Sequence, residues 1–471
     1  MTTSDEQPSE TSNNKPAGFV PLPASLQALG DQAGPAQVVM VDADQAPSRL
    51  ELDARYREAW VVVCKRGVPC GMGVVDLSSD DATVQEHYQG LLTHYASFEP
   101  QLPDPAALVD LHLPRISVVI PSIVERIDEL DRCLGSIGGV DYPDFEVVLV
   151  DNRRSLPDED PLPSLVTDRP WLRVVRQSIP GISAARNMGT DQADGEVIAF
   201  TDDDVRVDPQ WLRALGTRFA LSPQLDAVTG LILPAELETP AQVWFERYYG
   251  GFNGERAFRP LTLAADRNSS RMLRGSEIVA RDVAGNEVRR FAVYGVGAYS
   301  AGANMAFRRS ALARIGGFDL ALGTGTKSLG GEDLAAMIAI LWSGGQVGYE
   351  PSAVVHHRHR REYDELLRQI DGNGLGFTAM LTSLAWNDPR HLLGLSSKLP
   401  RALTQFARRV AEQLRNLQAN RSSAAPVQPE ATSPSYPPAL AQHEYLAYLK
   451  GPSAYARSRS AMRSITTTAK N

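Results

Sequence analysis

Three consecutive carboxylates, Asp202, Asp203 and Asp204, follow the uncharged run Val197 to Thr201. Apolar, strand-forming residues that open into acids describe a buried strand delivering ligands at its tip. Side chains alternate along an extended backbone, so Asp202 and Asp204 lean to one side and Asp203 to the other. Two hard oxygens converging at that spacing suit a divalent cation, Mg²⁺ or Mn²⁺. The competing reading of a triple acid is a solvated turn. A second acidic pair, Glu332 and Asp333, follows the glycine-rich stretch Leu322 to Gly331 and opens an apolar helix, Leu334 to Leu341. A carboxylate within hydrogen-bond reach of a hydroxyl can take its proton, although acids at a helix start also complement the helix dipole. Past a short strand, Gln346 to Glu350, come His356, His357 and His359, interleaved with Arg358 and Arg360. Histidine is a competent metal ligand and hydrogen-bond donor to a diphosphate, and His357 is the candidate for that role.

The elements around these residues have to bring them together. Arg115 to Ser122 is a buried-type strand, Asp128 to Ile137 a helix with Leu130, Cys133, Leu134 and Ile137 inward, and Phe145 to Asn152 a second apolar strand. Strand, helix and strand with both strands apolar throughout indicate a parallel sheet covered on both faces, hence a doubly wound α/β domain. Ligands bind beyond the carboxyl ends of such strands, which gathers Ser122, Asp151, Asn152 and the Asp cluster on one rim. Leu172 to Arg176 adds a short strand. Pro180 to Gly189 opens a helix, with Ser183 expected as its cap and backbone amides able to face an anion.

The chain has 471 residues, 43% hydrophobic and 22% charged, the balance of an ordinary globular protein of two or three units. A net charge of −9 removes the electrostatic case for binding nucleic acid. Cys64, Cys70 and Cys133 have no metal-type spacing and fit a reducing compartment. No apolar run approaches the roughly 18 residues of a spanning helix, and Met1 to Glu6 lacks signal-peptide design, so a cytoplasmic location is expected. The expected organisation is a disordered leader over 1–36, a small α+β module over 37–112, the α/β domain over 113–360, a helical extension over 361–420, a linker over 421–438, and a C-terminal helix with a mobile tail over 439–471. Within it, Asp371-Gly372-Asn373-Gly374 is expected to interrupt the helix of 361–383. The stretch 253–294, with Arg256, Arg259, Arg267, Arg271, Arg274 and Arg281, reads as a polar insertion, a solvated loop by default or else a lid or an anionic-acceptor surface. An amphipathic helix over 400–419, with Leu403, Phe406, Val410, Leu414 and Leu417 on one face, packs on its own domain or offers peripheral contact with the inner face of a membrane.

In order and at similar separations, six pieces resemble the family 2 glycosyltransferases: Val118 to Pro121, Val150 to Asn152, Pro180 to Asn187, Phe200 to Asp204, Gly302 to Arg308, and Gly331 to Asp333. The resemblance spans about 115 to 360 and implies a bacterial-type enzyme with the GT-A fold. It implies a nucleotide-diphosphate sugar donor, a divalent cation, Mn²⁺ or Mg²⁺, and transfer with inversion. The acceptor would be a glycan, a lipid-linked glycan or a small molecule, in envelope polysaccharide, glycolipid or secondary-metabolite glycosylation. Asp204 would hold the cation with Asp202 beside it, unless Asp202 instead reaches the ribose or a metal-bound water. Asp151 resembles the carboxylate that meets the base or ribose, and Arg186 is expected on a phosphate oxygen or else in a salt bridge within the domain. Pro121, Ser122, Asn152, Gly181, Ser183, Asn187 and Asp203 complete the expected donor rim. Asn304 and Gly331 would lie under the sugar and acceptor, Asp333 would act as base, and Glu332 would shape the acceptor pocket. The turn Pro121 to Arg126 departs from the more polar family pattern. Its lack of glycine argues against a sugar-phosphate nucleotidyltransferase, and the intact acids argue against a catalytically inactive nucleotide-sugar or glycan-binding protein.

Overall fold

The computed structural model describes residues 35–398 and 438–468, apart from 52, 104, 253–255, 267–272 and 274. Most of the expected leader, the 400–419 helix, nearly all of the linker and Arg267, Arg271 and Arg274 lie outside the described residues.

The chain opens with three strands, β1 (Ala36–Asp42), β2 (Glu58–Lys65) and β3 (Val68–Asp76), in the order β1-β2-β3. β1 runs parallel to β2, and β2 and β3 form a hairpin. Arg66 and Gly67 between them both have positive φ, 54° and 76°, the turn geometry whose twist matches that of paired strands. Alternation along β2 buries both faces. Val61 and Val63 pack under the helix Asp81–Ala96, against Val84, Tyr88 and Tyr95. Trp60, Val62 and Cys64 pack on Leu231, Leu233, Val243, Phe258 and Val354 of the larger domain. A buried ion pair, Glu58 with Arg247, and a 2.6 Å hydrogen bond from the Tyr56 hydroxyl to Glu238 cross the same junction.

The larger domain is built on one sheet of eleven strands: β4 (Ile116–Ser122), β5 (Phe145–Asp151), β6 (Leu172–Arg176), β7 (Val197–Phe200), β8 (Val205–Val207), β9 (Ala227–Pro234), β10 (Leu261–Ala265), β11 (Glu277–Arg281), β12 (Glu287–Ala292), β13 (Met305–Arg308) and β14 (Gln346–His357). Their order is β12-β11-β10-β14-β9-β13-β7-β4-β5-β6, with β8 paired to the end of β14. The pairs β4/β5, β5/β6, β4/β7 and β9/β14 are parallel, and β13 runs antiparallel between β7 and β9. The sheet is mixed, and the expected mainly parallel arrangement is confined to β4–β7 and the β9/β14 pair, where the winding is double. The chain leaves β4 toward β5 and β6, then returns to place β7 on the other flank of β4. That reversal is the switch point at which a crevice forms. It sets Ser122 at the tip of β4 beside Asp202 to Asp204 at the tip of β7. Helices cover both faces: Ile127–Gly138 and Trp211–Leu221 on one, Ile182–Gln192 and Glu332–Trp342 on the other.

Three expectations are corrected. The described residues of 253–294 are not a solvated loop: β10, β11 and β12 extend the sheet antiparallel beyond β14. Leu261, Leu263, Ile278 and Ala280 face the core, while Arg281 and Arg290 lie exposed on the other side. The strand expected over 346–350 continues to His357, with a register shift between Glu350 and Val354. The helix Tyr363–Asn387 runs unbroken through Gly372, Gly374 and Gly376. Glycine inside a helix costs roughly 0.5–1 kcal/mol, and close packing is what it permits here. A Cβ at Gly376 would lie 2.9 Å from the Gly330 backbone, and one at Gly374 would lie 2.9 Å from the Glu444 carbonyl oxygen. The C-terminal helix Pro438–Thr468 lies along this one, and the Thr378 hydroxyl donates to the Tyr448 carbonyl at 2.8 Å. Among the described residues, no helix is long and apolar enough to cross a membrane.

Candidate active site

At the switch point, ligand atoms of Asp202, Asp204 and His357 all lie within 4.8 Å of one another. β7 ends at Phe200, so the two carboxylates leave the sheet as the backbone turns into β8. β8 pairs with the end of β14, His357 opposite Val205, and this pairing carries the imidazole back to the acids. His357 Nε2 is 3.3 Å from Asp204 Oδ1, and Nδ1 is buried without a partner. Burial pushes the His357 imidazole down to about 4 against the pull of Asp204, so at neutral pH it is the uncharged form that can ligate a metal. The donor set of two carboxylates and a neutral imidazole fits a divalent cation such as Mn²⁺ or Mg²⁺.

Two arginines not foreseen as ligands complete this corner. Arg126 donates to Asp204 Oδ2 at 2.8 Å, and Arg360 lies 3.4 Å from the same oxygen. Burial works against the charge on Asp204, but His357, Arg360 and Arg126 outweigh it and hold the carboxyl below its usual range. Arg126 sits four residues past the β4 tip and Arg360 three past the β14 tip, spacings with no distinctive local pattern. Asp203 turns the other way, accepts from the Ser122 hydroxyl at 2.5 Å, and is raised first by burial. Pro121 is buried in β4 behind it.

The second acidic pair divides its work by depth. Glu332 and Asp333 open the helix Glu332–Trp342, whose cap, Gly331, has φ 87°. Asp333 is part-exposed, with Oδ2 accepting the Gly302 amide at 2.7 Å and Oδ1 the Leu334 amide at 2.8 Å. Glu332 is buried and bonded to Arg186 at 2.7 Å, which corrects the expectation that it shapes the acceptor pocket. Burial, then the neighbouring Asp333, raises its carboxyl above the usual range.

Arg186 is itself a correction. It is only 1% exposed and takes the second expected role, a salt bridge within the domain. Its guanidinium lies between Glu332 and Asp202, the latter at 3.3 Å, and also donates to the Gly302 carbonyl at 3.3 Å. Phe200 and Phe318 flank it at 6.0 and 5.7 Å, within cation–π range. Asp202 is raised to about 6, chiefly by burial, with Arg186 opposing. Through Arg186 and Gly302 the cation corner and Asp333 form one connected site.

Ser183, Asn187, Asn152 and Asn304, expected as ligands, are held within the scaffold. The helix Ile182–Gln192 is capped by Gly181, φ 116°, and the Ser183 hydroxyl donates to the Leu322 carbonyl instead of capping it. Asn187 brackets Phe318, donating to its carbonyl and accepting from its amide, both at 2.9 Å. Asn152 donates to the Gln177 and Ile179 carbonyls and accepts from the Gly181 amide. Asn304 is wholly buried, accepts from the Trp211 indole at 2.9 Å and donates to the Leu231 and Ala353 carbonyls, so it faces no sugar. Asp151 is held below the usual range by Arg153 and Arg176, which outweigh its burial. Beside it opens a cavity of about 520 Å³, lined also by Leu162, Val174 and Arg176. His359 is sequestered, with Nε2 2.6 Å from buried Glu246, which Arg256 also pairs at 2.7 Å.

The sheet is a mixed α/β one whose switch point collects carboxylates from one strand tip and a histidine from another, with an acid-led helix facing them. Residues 117–316 match the family described as Glycosyl transferase family 2. Among curated relatives, the glucosyl-dolichyl phosphate glucuronosyltransferase of Haloferax volcanii is 26% identical over 193 residues, 40% of this chain and 51% of that protein. The GalNAc(5)-diNAcBac-PP-undecaprenol beta-1,3-glucosyltransferase of Campylobacter jejuni is 29% identical over 94 residues, 20% of this chain and 30% of that protein. The chain therefore spans about half the length of the first and less of the second. A solved mannosyltransferase from Pyrobaculum calidifontis, in complex with GDP-Man and Mn²⁺, aligns over 78% of this chain and 94% of its own at 17% identity and a TM-score of 0.42.

Proposed function

We propose that the chain is an inverting glycosyltransferase that uses a divalent cation to move a sugar from a nucleoside-diphosphate donor to an acceptor hydroxyl. A lipid-linked acceptor agrees with what the relatives' names describe. The observation that carries this is the meeting of Asp202, Asp204 and His357 at the switch point, tied through Arg186 and Gly302 to Asp333.

Mn²⁺ or Mg²⁺ held by Asp202, Asp204 and His357 would neutralise the leaving diphosphate as a Lewis acid. Arg126 and Arg360, already beside Asp204, are placed to meet phosphate oxygens with charge-assisted hydrogen bonds. Asp151 and the adjoining cavity are the donor rim nearest the β5 tip, the place for base or ribose. Asp333 keeps a lone pair on each oxygen beyond those used by the Gly302 and Leu334 amides, and one of these accepts the acceptor's proton. The acceptor oxygen then bonds to the anomeric carbon as the carbon–oxygen bond to the diphosphate breaks. The electron pair leaves with the diphosphate, and the sugar inverts. Glu332 and Arg186 never touch substrate; they fix the positions of Asp202 and Asp333 from below.

The test separates binding from chemistry. Mn²⁺ binding is read by the loss of the free-ion electron paramagnetic resonance signal, and turnover by nucleoside-diphosphate release across a panel of uridine, guanosine and thymidine sugar nucleotides. Asp204→Ala should lose both signals; Asp333→Asn should keep ion and donor binding and lose turnover. Donor binding by the wild type without turnover on any acceptor would favour a binding protein instead.

A further inference from the structure

Many arginines on the body of this protein pair with acids, such as Arg153, Arg213, Arg308 and Arg361, yet one surface is basic and greasy together. The helix Pro438–Thr468 carries Lys450, Arg457, Arg459 and Arg463 against a single acid, Glu444, in a chain whose net charge is −9. Its Leu449 is 79% exposed, the most exposed large apolar side chain among the described residues, and Leu446, one turn earlier, is 58% exposed. Helical spacing sets Leu446, Leu449, Lys450 and Arg457 on one side, since positions three, four and seven apart share a face. The opposite side, Ala447, Gly451, Ala454 and Tyr455, is buried, packed along Tyr363–Asn387. Among the described residues neither Lys450 nor Arg457 has an acidic partner within salt-bridge reach.

We propose that this face docks on a bilayer bearing anionic lipid headgroups, with Leu446 and Leu449 entering the interface and Lys450 and Arg457 meeting the headgroups. Apolar insertion combined with attraction of basic residues to anionic lipid is how a surface-lying helix holds a membrane. A second copy of the chain fits less well, because two such faces would oppose like charges. The position suits the chemistry. Behind this face Gly374 and Gly376 pack on Glu444 and on Gly330, and Gly330 belongs to the loop that ends in Glu332 and Asp333. Leu329 in that loop is itself exposed. Docking would therefore bring the rim beside Asp333 toward the plane where the sugar-bearing end of a lipid-linked acceptor lies. That purpose rests on the glycosyltransferase proposal; the docking does not.

The experiment is flotation of the full-length protein with vesicles of phosphatidylcholine alone or with 30 mol% phosphatidylserine (about one lipid in three anionic, in the range where basic segments respond). The wild type should float with the anionic vesicles and detach in high salt. Leu446→Ser/Leu449→Ser and Lys450→Glu/Arg457→Glu should each reduce bound protein at least about tenfold while melting at the wild-type temperature. Wild-type protein that stays with the soluble fraction, or variants that float unchanged, would overturn the proposal. A wild-type dimer made monomeric by Leu449→Ser, with no vesicle binding, would overturn it in favour of a second copy. Nucleoside-diphosphate release measured without vesicles reports on the transferase proposal separately, so either can fail while the other stands.

Discussion

Arg186→Met is the substitution from which the geometry makes its most exposed prediction. The arginine is buried between Glu332 at 2.7 Å and Asp202 at 3.3 Å. Methionine fills much of its volume and removes the charge. Breaking a buried ion pair by deleting one partner costs about 3–5 kcal/mol, because the remaining charge is left uncompensated. For a unit of 150–250 residues that is a melting-temperature drop of about 6–20 °C near neutral pH. The sign of the pH dependence is the sharper part. Glu332 and Asp202 already have folded-state pKa values above their usual ones, and loss of Arg186 raises both further. A carboxyl whose folded pKa exceeds its unfolded pKa favours the folded state at low pH, and that contribution is lost as pH rises through the folded value. The deficit of Arg186→Met relative to wild type should thus be small near pH 5 and grow toward pH 8. Differential scanning calorimetry at five pH values measures it. A deficit constant across that range, or none at pH 8, would refute an electrostatic role for Arg186 and leave only packing.

The remaining predictions concern the cation, the scaffold and the acceptor loop. With Asp202 raised to about 6, Mn²⁺ affinity should fall as pH drops through that value, by about tenfold per unit below it if one proton must leave, as isothermal titration calorimetry would show. Asn304→Ala strands the Trp211 indole donor and two carbonyls; at roughly 1 kcal/mol per lost hydrogen bond it should lower stability by about 3 kcal/mol in urea melts, with KM for donor unchanged in the protein that remains folded. Gly376→Ala places a methyl 2.9 Å from the Gly330 backbone, so turnover should fall well before Mn²⁺ binding does, the two read in parallel.

What can be read from the sequence is local and comes from strand tips. Asp202, Asp204 and Asp151 are visible because burying an apolar run and then solvating the acids that follow it forces a strand to end at a polar rim. The β4, β5 and β7 strands follow from the same runs of buried residues. His357 is marked by its neighbours, but its meeting with Asp204 depends on β8 pairing with β14, a contact between residues about 150 apart. Arg186 shows the limit. A polar residue in the first turns of a helix looks the same whether it faces solvent or a buried acid, and only Glu332, distant in sequence, decides it. The strands β10 to β12 are hidden because arginines before, between and within them mask a weak alternation. The glycines of Tyr363–Asn387 signal a break because intrinsic propensity says nothing of a neighbouring helix that needs the room.

The amino-terminal strands also bear on the cation site, though they contribute no ligand to it. Their inner face rests on Leu231, Leu233 and Val354, residues of β9 and β14, and β14 terminates in His357. The small module thus acts as a splint along the very strand that aims the imidazole. Cutting it away would bare that apolar strip to water and loosen the aim of His357, so damage done at residues 58–72 should surface as weaker metal retention many residues downstream.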